Sequence, residues 1–342
     1  MKDKIILAID HNPVNSCYSA GAGLYSILSG ENESNIPLII LNNIFLFIKP
    51  SGVPKLPILA KAGILSAITH FNQKEITHID TFICEKINKS LFVFILLDHY
   101  YITCSDKFLK RHYAHDLCLI YGYNLEQRYF YASDNFHNGK HAHFKIPFDE
   151  LKNSQENIKI KDGKTSLITF NSRYVNNSVD GFKSKIYNVI NDYLISDCQN
   201  TLQMNDSFIA DNVFGFHPAK TSLCDEREQC IFGMNVYTEM LRRVTYYHEK
   251  NIDIRPFHLL WNHKEIVQLL LNYLIRNQKL NELKQLIPLS EIIVQYAFLN
   301  RQMAIKYNIT SNSSLLTKIA NNLVKMKDAE QTLLDSIIKR LC

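Results

Sequence analysis

The chain has no apolar run approaching the roughly twenty residues that a membrane span needs. Its most apolar stretches are IPLIILNNIFLFI (36–48), interrupted by Asn42 and Asn43, and SLFVFILL (90–97). It also lacks any Lys/Arg block with interleaved aromatics, and its net charge is only +5. Neither a membrane nor nucleic acid is therefore the expected partner. Cysteine is present eight times, at 17, 84, 104, 118, 198, 224, 230 and 342, but never as a CxxC pair. That scatter, with no secretory signal, argues for reduced thiols rather than a disulfide framework. Cys224, Cys230 and His217 lack the spacing of a zinc knuckle or finger, so no metal is expected. The opening MKDKIILAID has too short an apolar run for a signal peptide and meets an acid at once, which makes a cytoplasmic protein the expectation. No fixed-period repeat is visible.

What is present is a globular composition on a chain long enough for two domains: 342 residues, 46% hydrophobic and 21% charged. Its character changes near residue 175. Before it, short β-like runs at 4–8, 36–41, 44–48, 91–97, 99–104, 115–123, 128–133 and 165–170 interleave with helical patterns at 17–29, 56–69 and 74–86. HNGKHAH (137–143), with His137, His141 and His143, reads as a polar loop leading into a strand. After residue 180 apolar residues recur with helical period through 182–194, 230–248, 256–277, 289–306 and 314–341. Pro256 and Pro288 fall at helix starts, where proline is tolerated. The expected fold class is α+β: a first domain over 1–172, a linker around 171–181, and an all-α domain over 180–342. QNTLQMNDSFIADN (199–212) reads as a polar loop.

The stretch NSCYSAGAGLYSIL (15–28) singles out Cys17. Asn15 or Ser16 can cap the helix that follows, which sets the thiol in its first turn. Unpaired N–H groups and the helix dipole there favour a thiolate. Gly21 and Gly23 each cost about 1 kcal/mol in a helix, so their presence implies close packing against a sheet. A nucleophilic thiol needs a base, and the base an orienting partner. HYAHDLCLIYGYNLEQRYFYASDNF (112–136) reads as a hairpin with strands 115–123 and 128–135. With Tyr123 facing Arg128, Asp134 falls opposite Leu117 and becomes the diagonal neighbour of His115 on one face. A register one residue different puts Asn135 there instead. His99 and His112 are rival histidines, His99 as a residue lining the site. The Cys17 amide is one oxyanion donor. The second has no Gln to supply it, since the approach to the cysteine reads DHNPVNSC, and His11, Asn12 or Asn15 must serve.

A helix-borne cysteine followed by a strand histidine and an acid or amide is the chain order of papain-like enzymes. On three stretches the chain resembles the butirosin biosynthesis protein H family: NSCYSAGAGLYSIL, DHYYITCSDKFLKRHYAHDLCLIYGYNLEQRYFYASDNF and IDIRPFHLLWNHKEI (252–266). It departs from the family in having Ser16 before the cysteine and no FGLGSG-like segment within 30–90. The resemblance implies a papain-like N-terminal domain and a cysteine acyltransferase. Cys17 would take an acyl group from the phosphopantetheine thioester of an acyl or peptidyl carrier protein and pass it to an amine. His115 would be the base and Asp134 its orienter. No cofactor of its own is implied, because the phosphopantetheine arrives on the partner. A cysteine hydrolase and a non-catalytic scaffold are the competing readings. In RPFHLLWNHKE, Arg255, His258 and His263 are expected either to line a cleft or to pack a helix around Trp261. NVFGFHPAKTSL (212–223) is a further rim-loop expectation.

Overall fold

The structure is a computed structural model. It describes residues 2–17, 19–31, 33–48, 54–55, 67–114, 117–137, 140–158, 166–174, 181–197, 231–246 and 251–341. In chain order the elements are β1 (Lys4–Ile6), α1 (Ser19–Glu31), α2 (Ile36–Asn43), β2 (Phe47–Ile48), β3 (Pro54–Lys55), β4 (Ile68–Asn72), α3 (Ile79–Asn88) and β5 (Phe92–Leu96). Then come β6 (Leu117–Asn124), β7 (Tyr129–His137), β8 (Lys140–Pro147), α4 (Phe148–Asn157), β9 (Ser166–Phe170), α5 (Phe182–Ile195) and β10 (Ile231–Phe232). The chain closes with α6 (Asn235–Tyr246), α7 (Arg255–Asn277), α8 (Ile287–Thr310) and α9 (Ser314–Leu341).

Two compact units result. The first comprises the described residues that fall within 2–35 and 67–174. Its seven-stranded antiparallel sheet runs β4-β9-β5-β6-β7-β8, with β1 added to β6. Strand β5 pairs with residues 117–120 of β6, and β1 with 122–124, so the two share one edge of β6 end to end. Central β5 and β6 are buried at every position, as expected for strands covered on both faces. Ile79, Ile83 and Ile87 of α3 and Phe148 and Leu151 of α4 pack on the face carrying Val93, Ile95, Cys118 and Ile120. Helix α1 covers the opposite face. A Cβ on Gly23 would lie 2.8 Å from the Phe94 ring and 3.1 Å from Leu119, so the absent side chain lets the helix seat.

The described part of the second unit is residues 36–48, 54–55, 181–197, 231–246 and 251–341. Helix α7 packs on α8 and α2, and α9 on α8, α6 and α5. Strands β10, β2 and β3 form a small antiparallel sheet. At its centre Lys264 Nζ is 2.6 and 2.7 Å from the Glu330 carboxylate and 2.9 Å from His263 Nδ1. The Tyr237 hydroxyl donates to the same carboxylate at 2.7 Å and Tyr193 at 3.2 Å, while His263 Nε2 donates to the Ile44 carbonyl at 2.8 Å.

The mixed α and β class and the C-terminal helical region are as expected, with α5 to α9 close to the periodic segments and Pro256 and Pro288 in first turns. Several local expectations are corrected. Residues 36–41 are helical: a continuous apolar run carries no period to separate strand from buried helix. The Asn42 and Asn43 amides donate to carbonyls four residues back, which suits that helix. Residues 99–101 form a single 3-10 turn, because the Asp98 carboxylate caps the Tyr100 amide. Residues 140–143 belong to β8, and 68–69 to β4 rather than to the helix expected over 56–69, whose remainder to residue 66 lies outside the described residues. The division does not follow the 1–172 and 180–342 boundaries, since α2 and β2 count with the helical unit, and β10 makes that unit less than all-α. The linker residues 175–180 and the loops over 199–223 also lie outside the described residues. No described helix is long and apolar enough to cross a membrane.

Candidate functional site

Cys17 ends an irregular segment pinned from three sides. Leu7 N donates to the Tyr121 carbonyl at 2.8 Å, Asp10 N to the Ser26 carbonyl at 2.7 Å, and His143 Nε2 to the His11 carbonyl at 3.2 Å. A Cβ on Gly30 would meet the Ile9–Asp10 backbone at 2.5 Å, so this glycine allows the segment to pass over α1. The helix begins at Ser19, two residues later than the sequence suggests, and half-buried Cys17 stands just ahead of the first turn. Its amide points to Asn15 Oδ1 at 3.4 Å.

The head of α1 meets the far end of β7. Ser19 Oγ donates to Asp134 Oδ1 at 2.5 Å and lies 3.5 Å from the Leu117 carbonyl. Asn135 Nδ2 reaches the Cys17 carbonyl at 3.5 Å. The 1% exposed Asp134 also accepts the Asn135 amide at 2.5 Å and faces His99 Nε2 at 3.3 Å. His99 is buried between Tyr113 and Phe136, and its Nδ1 lies 3.2 Å from Ser105 Oγ. The Ser105 hydroxyl can donate to Nδ1, which leaves the ring proton on Nε2, facing the carboxylate. His112 belongs to a different pair: its Nδ1 is 2.6 Å from Asp98 Oδ2 and its ring stacks on Tyr100 at 4.3 Å.

The hairpin register differs from expectation. Tyr123 faces Phe130, and an irregularity between Ile120 and Gly122 shifts the pairing so that Leu119 faces Ser133. The turn spans 125–128 and ends on Arg128 at φ 52°, so Tyr123 pairs two residues beyond the assumed Arg128. Carried two residues further, this register sets Leu117 level with Asn135, the alternative orienter, rather than Asp134. His115 lies outside the described residues.

Of the expected residues, the structure thus gathers Cys17, Asn15, Asp134, Asn135 and His99. His11 instead packs on β8, with its ring 4.4 Å from His143, which is 5.4 Å from His141. Nothing in the sequence marks Ser19 or Ser105, and His141 and His143, expected in a polar loop, lie on β8. The H-x-H spacing of 141 and 143 is the strand period and was the available signal. Burial and the neighbouring His143 push His141 down to about 4, against the opposing pull of Asp134, and burial also lowers His143. The other described thiols are poor nucleophiles. Burial and Asp80 push Cys84 up to about 12, burial and Glu150 do the same for Cys104, and burial raises Cys118 well above the usual range.

Among the described residues no group of three or more His, Cys, Asp or Glu side chains is arranged to hold a metal ion. His217, Cys224 and Cys230 lie outside them. In the helical unit Arg255 pairs with Asp253 at 2.7 Å, His258 Nδ1 accepts from Arg301 at 3.1 Å, and Trp261 packs against Phe298. These partners suit the packing role rather than a site. No protein-family model matches the chain, and no curated protein matches it.

Proposed function

We propose that the protein is a cysteine-dependent acyltransferase of papain-like arrangement. Cys17 is the nucleophile, His115 its base, and Asp134 or Asn135 the orienter. The observation that carries this is the junction of α1 with β7. There Cys17 and Ser19 contact Asn135 and Asp134 across more than a hundred residues of chain. Ser19 also approaches the carbonyl of Leu117, two residues after His115. A base delivered at that strand entry would take the proton from the thiol and return it to the leaving group. The acyl donor is a carrier-protein thioester and the acceptor an amine, as the family resemblance implies. Exchange between thioesters is nearly neutral in energy, and amide formation then drives the second half. The net charge of +5 suits an acidic carrier domain in the cytoplasm.

The test is intact-protein mass spectrometry with an acyl-loaded carrier protein, with and without an amine. An acyl adduct on Cys17 that is discharged to amide only when amine is present is the expected result, with no adduct on Cys17→Ala. Discharge to water at the same rate without amine would make the protein a hydrolase. Retained biological function in Cys17→Ala would make it a scaffold.

A further inference from the structure

The hairpin face that meets α1 carries a run of polar atoms with nothing to bond. Ser133 Oγ, Asn135 Oδ1, both ring nitrogens of His141 and Nδ1 of His143 are buried and have no hydrogen-bond partner among the described residues. They belong to one patch. Ser133 faces Leu119 on β6 and His143 on β8, and Leu119 lies beneath Gly23 of α1. His141 follows His143 two residues along β8, its ring 5.4 Å away, and Asn135 lies where the β7–β8 pairing shifts between Asp134 and His137. Buried polar groups are almost always paired, so a cluster of orphans at the edge of a site marks a place where water or a bound ligand supplies the partners. Asn135 Nδ2 also reaches the Cys17 backbone carbonyl at 3.5 Å, and His141 lies on the adjacent strand β8.

We propose that His141 is the second donor to the acyl carbonyl oxygen at the Cys17 site, in place of the glutamine that the approach to the cysteine lacks. This rests on Cys17 being the acylated residue. In the step assisted, the Cys17 sulfur forms a bond to the thioester carbonyl carbon and the carbonyl electron pair moves onto oxygen. The His141 N–H binds that oxygen. When the pair returns, the bond to the donor sulfur breaks, and the donor thiol leaves with the proton first removed from Cys17. Burial keeps the His141 ring neutral through the physiological range, so it offers a donor without a competing charge. The exposed His11 ring packs on the His143 ring at 4.4 Å, and the His11 backbone carbonyl accepts from His143 Nε2 at 3.2 Å.

The experiment uses the full chain and a small probe, the acetyl thioester of N-acetylcysteamine, with adduct formation followed by mass spectrometry. His141→Phe should slow acylation of Cys17 by about 10²–10³-fold, the usual loss for one oxyanion donor. Iodoacetamide labelling of Cys17, which needs no such donor, should stay within about twofold by the same reasoning. His141→Gln keeps an N–H and should recover part of the rate. A wild-type acylation rate in His141→Phe overturns the assignment. Absence of any Cys17 adduct in the wild type overturns the acyltransferase reading and this one with it. A second measurement avoids reliance on a variant that folds. Butyraldehyde adds to Cys17 as a hemithioacetal, the thiol proton passing to the carbonyl oxygen, and the ¹⁵N resonances of His141 should then shift. Unchanged His141 resonances in the Cys17 adduct would also overturn the assignment.

Discussion

Asp134 joins the helix carrying the thiol to the sheet, and its replacement separates that role from simple packing. The carboxylate is 1% exposed and has three partners: Ser19 Oγ and the Asn135 amide, both at 2.5 Å, and His99 Nε2 at 3.3 Å. A hydrogen bond to a charged group contributes about 1.5–3 kcal/mol, and an orphaned buried donor costs about 1–3 kcal/mol. Asp134→Ala removes all three bonds and strands the Ser19 hydroxyl and the His99 N–H. The terms overlap, so we expect a loss of about 3–5 kcal/mol. Asp134→Asn keeps an oxygen for Ser19 and turns an N–H₂ toward His99. The imidazole accommodates this by moving its proton to Nδ1, where Ser105 Oγ accepts it, and the cost falls to about 1–2 kcal/mol. Hydrogen exchange of the β6 and β7 amides, resolved by mass spectrometry, reads the opening free energy of this unit alone. A loss below about 1 kcal/mol in Asp134→Ala, or equal losses in the two variants, would refute the account.

Gly23→Ala gains about 1 kcal/mol of helix propensity, yet its Cβ would meet Phe94 at 2.8 Å, so a net loss of about 1–3 kcal/mol is expected in thermal unfolding. In the helical unit, Lys264→Met leaves Glu330 buried without its cation and should cost about 3–5 kcal/mol. Lys264→Met with Glu330→Leu should cost less than either single change, followed by fluorescence of the sole tryptophan, Trp261. Because the native pKa of His141 is about 4, below the 6.5 of the free side chain, protonation favours the unfolded chain. Stability should be full above pH 6.5 and fall toward pH 4, by at most about 3 kcal/mol from this residue, and His141→Phe should flatten that part of a urea–pH profile. Glu265 acts with the opposite sign. Burial raises it to about 7, so its contribution is present below about pH 4.5 and lost as pH rises to about 7, and Glu265→Gln should remove that slope.

The sequence by itself determined the elements whose periods are unambiguous. The stripes of α5 to α9 carry a 3.6-residue repeat over long spans, and the small residues of α1 announced a close approach that Gly23 makes. It also singled out the residues on which the proposed chemistry rests: the cysteine before α1, and the acid and amide on β7. Sequence could not decide the apolar run at 36–43, which has no alternation and folds as helix. Nor could it fix the hairpin register: the turn moves the pairing by two residues and the irregularity in β6 moves it back by one, and that odd net shift exchanges Asp134 with Asn135. The partnerships of the site belong to tertiary structure for the same reason. Ser19 with Asp134 and Asn135 with Cys17 join residues more than a hundred apart, which the seating of α1 on β6 and β7 brings within hydrogen-bond reach, while His99 meets Asp134 from the turn after β5.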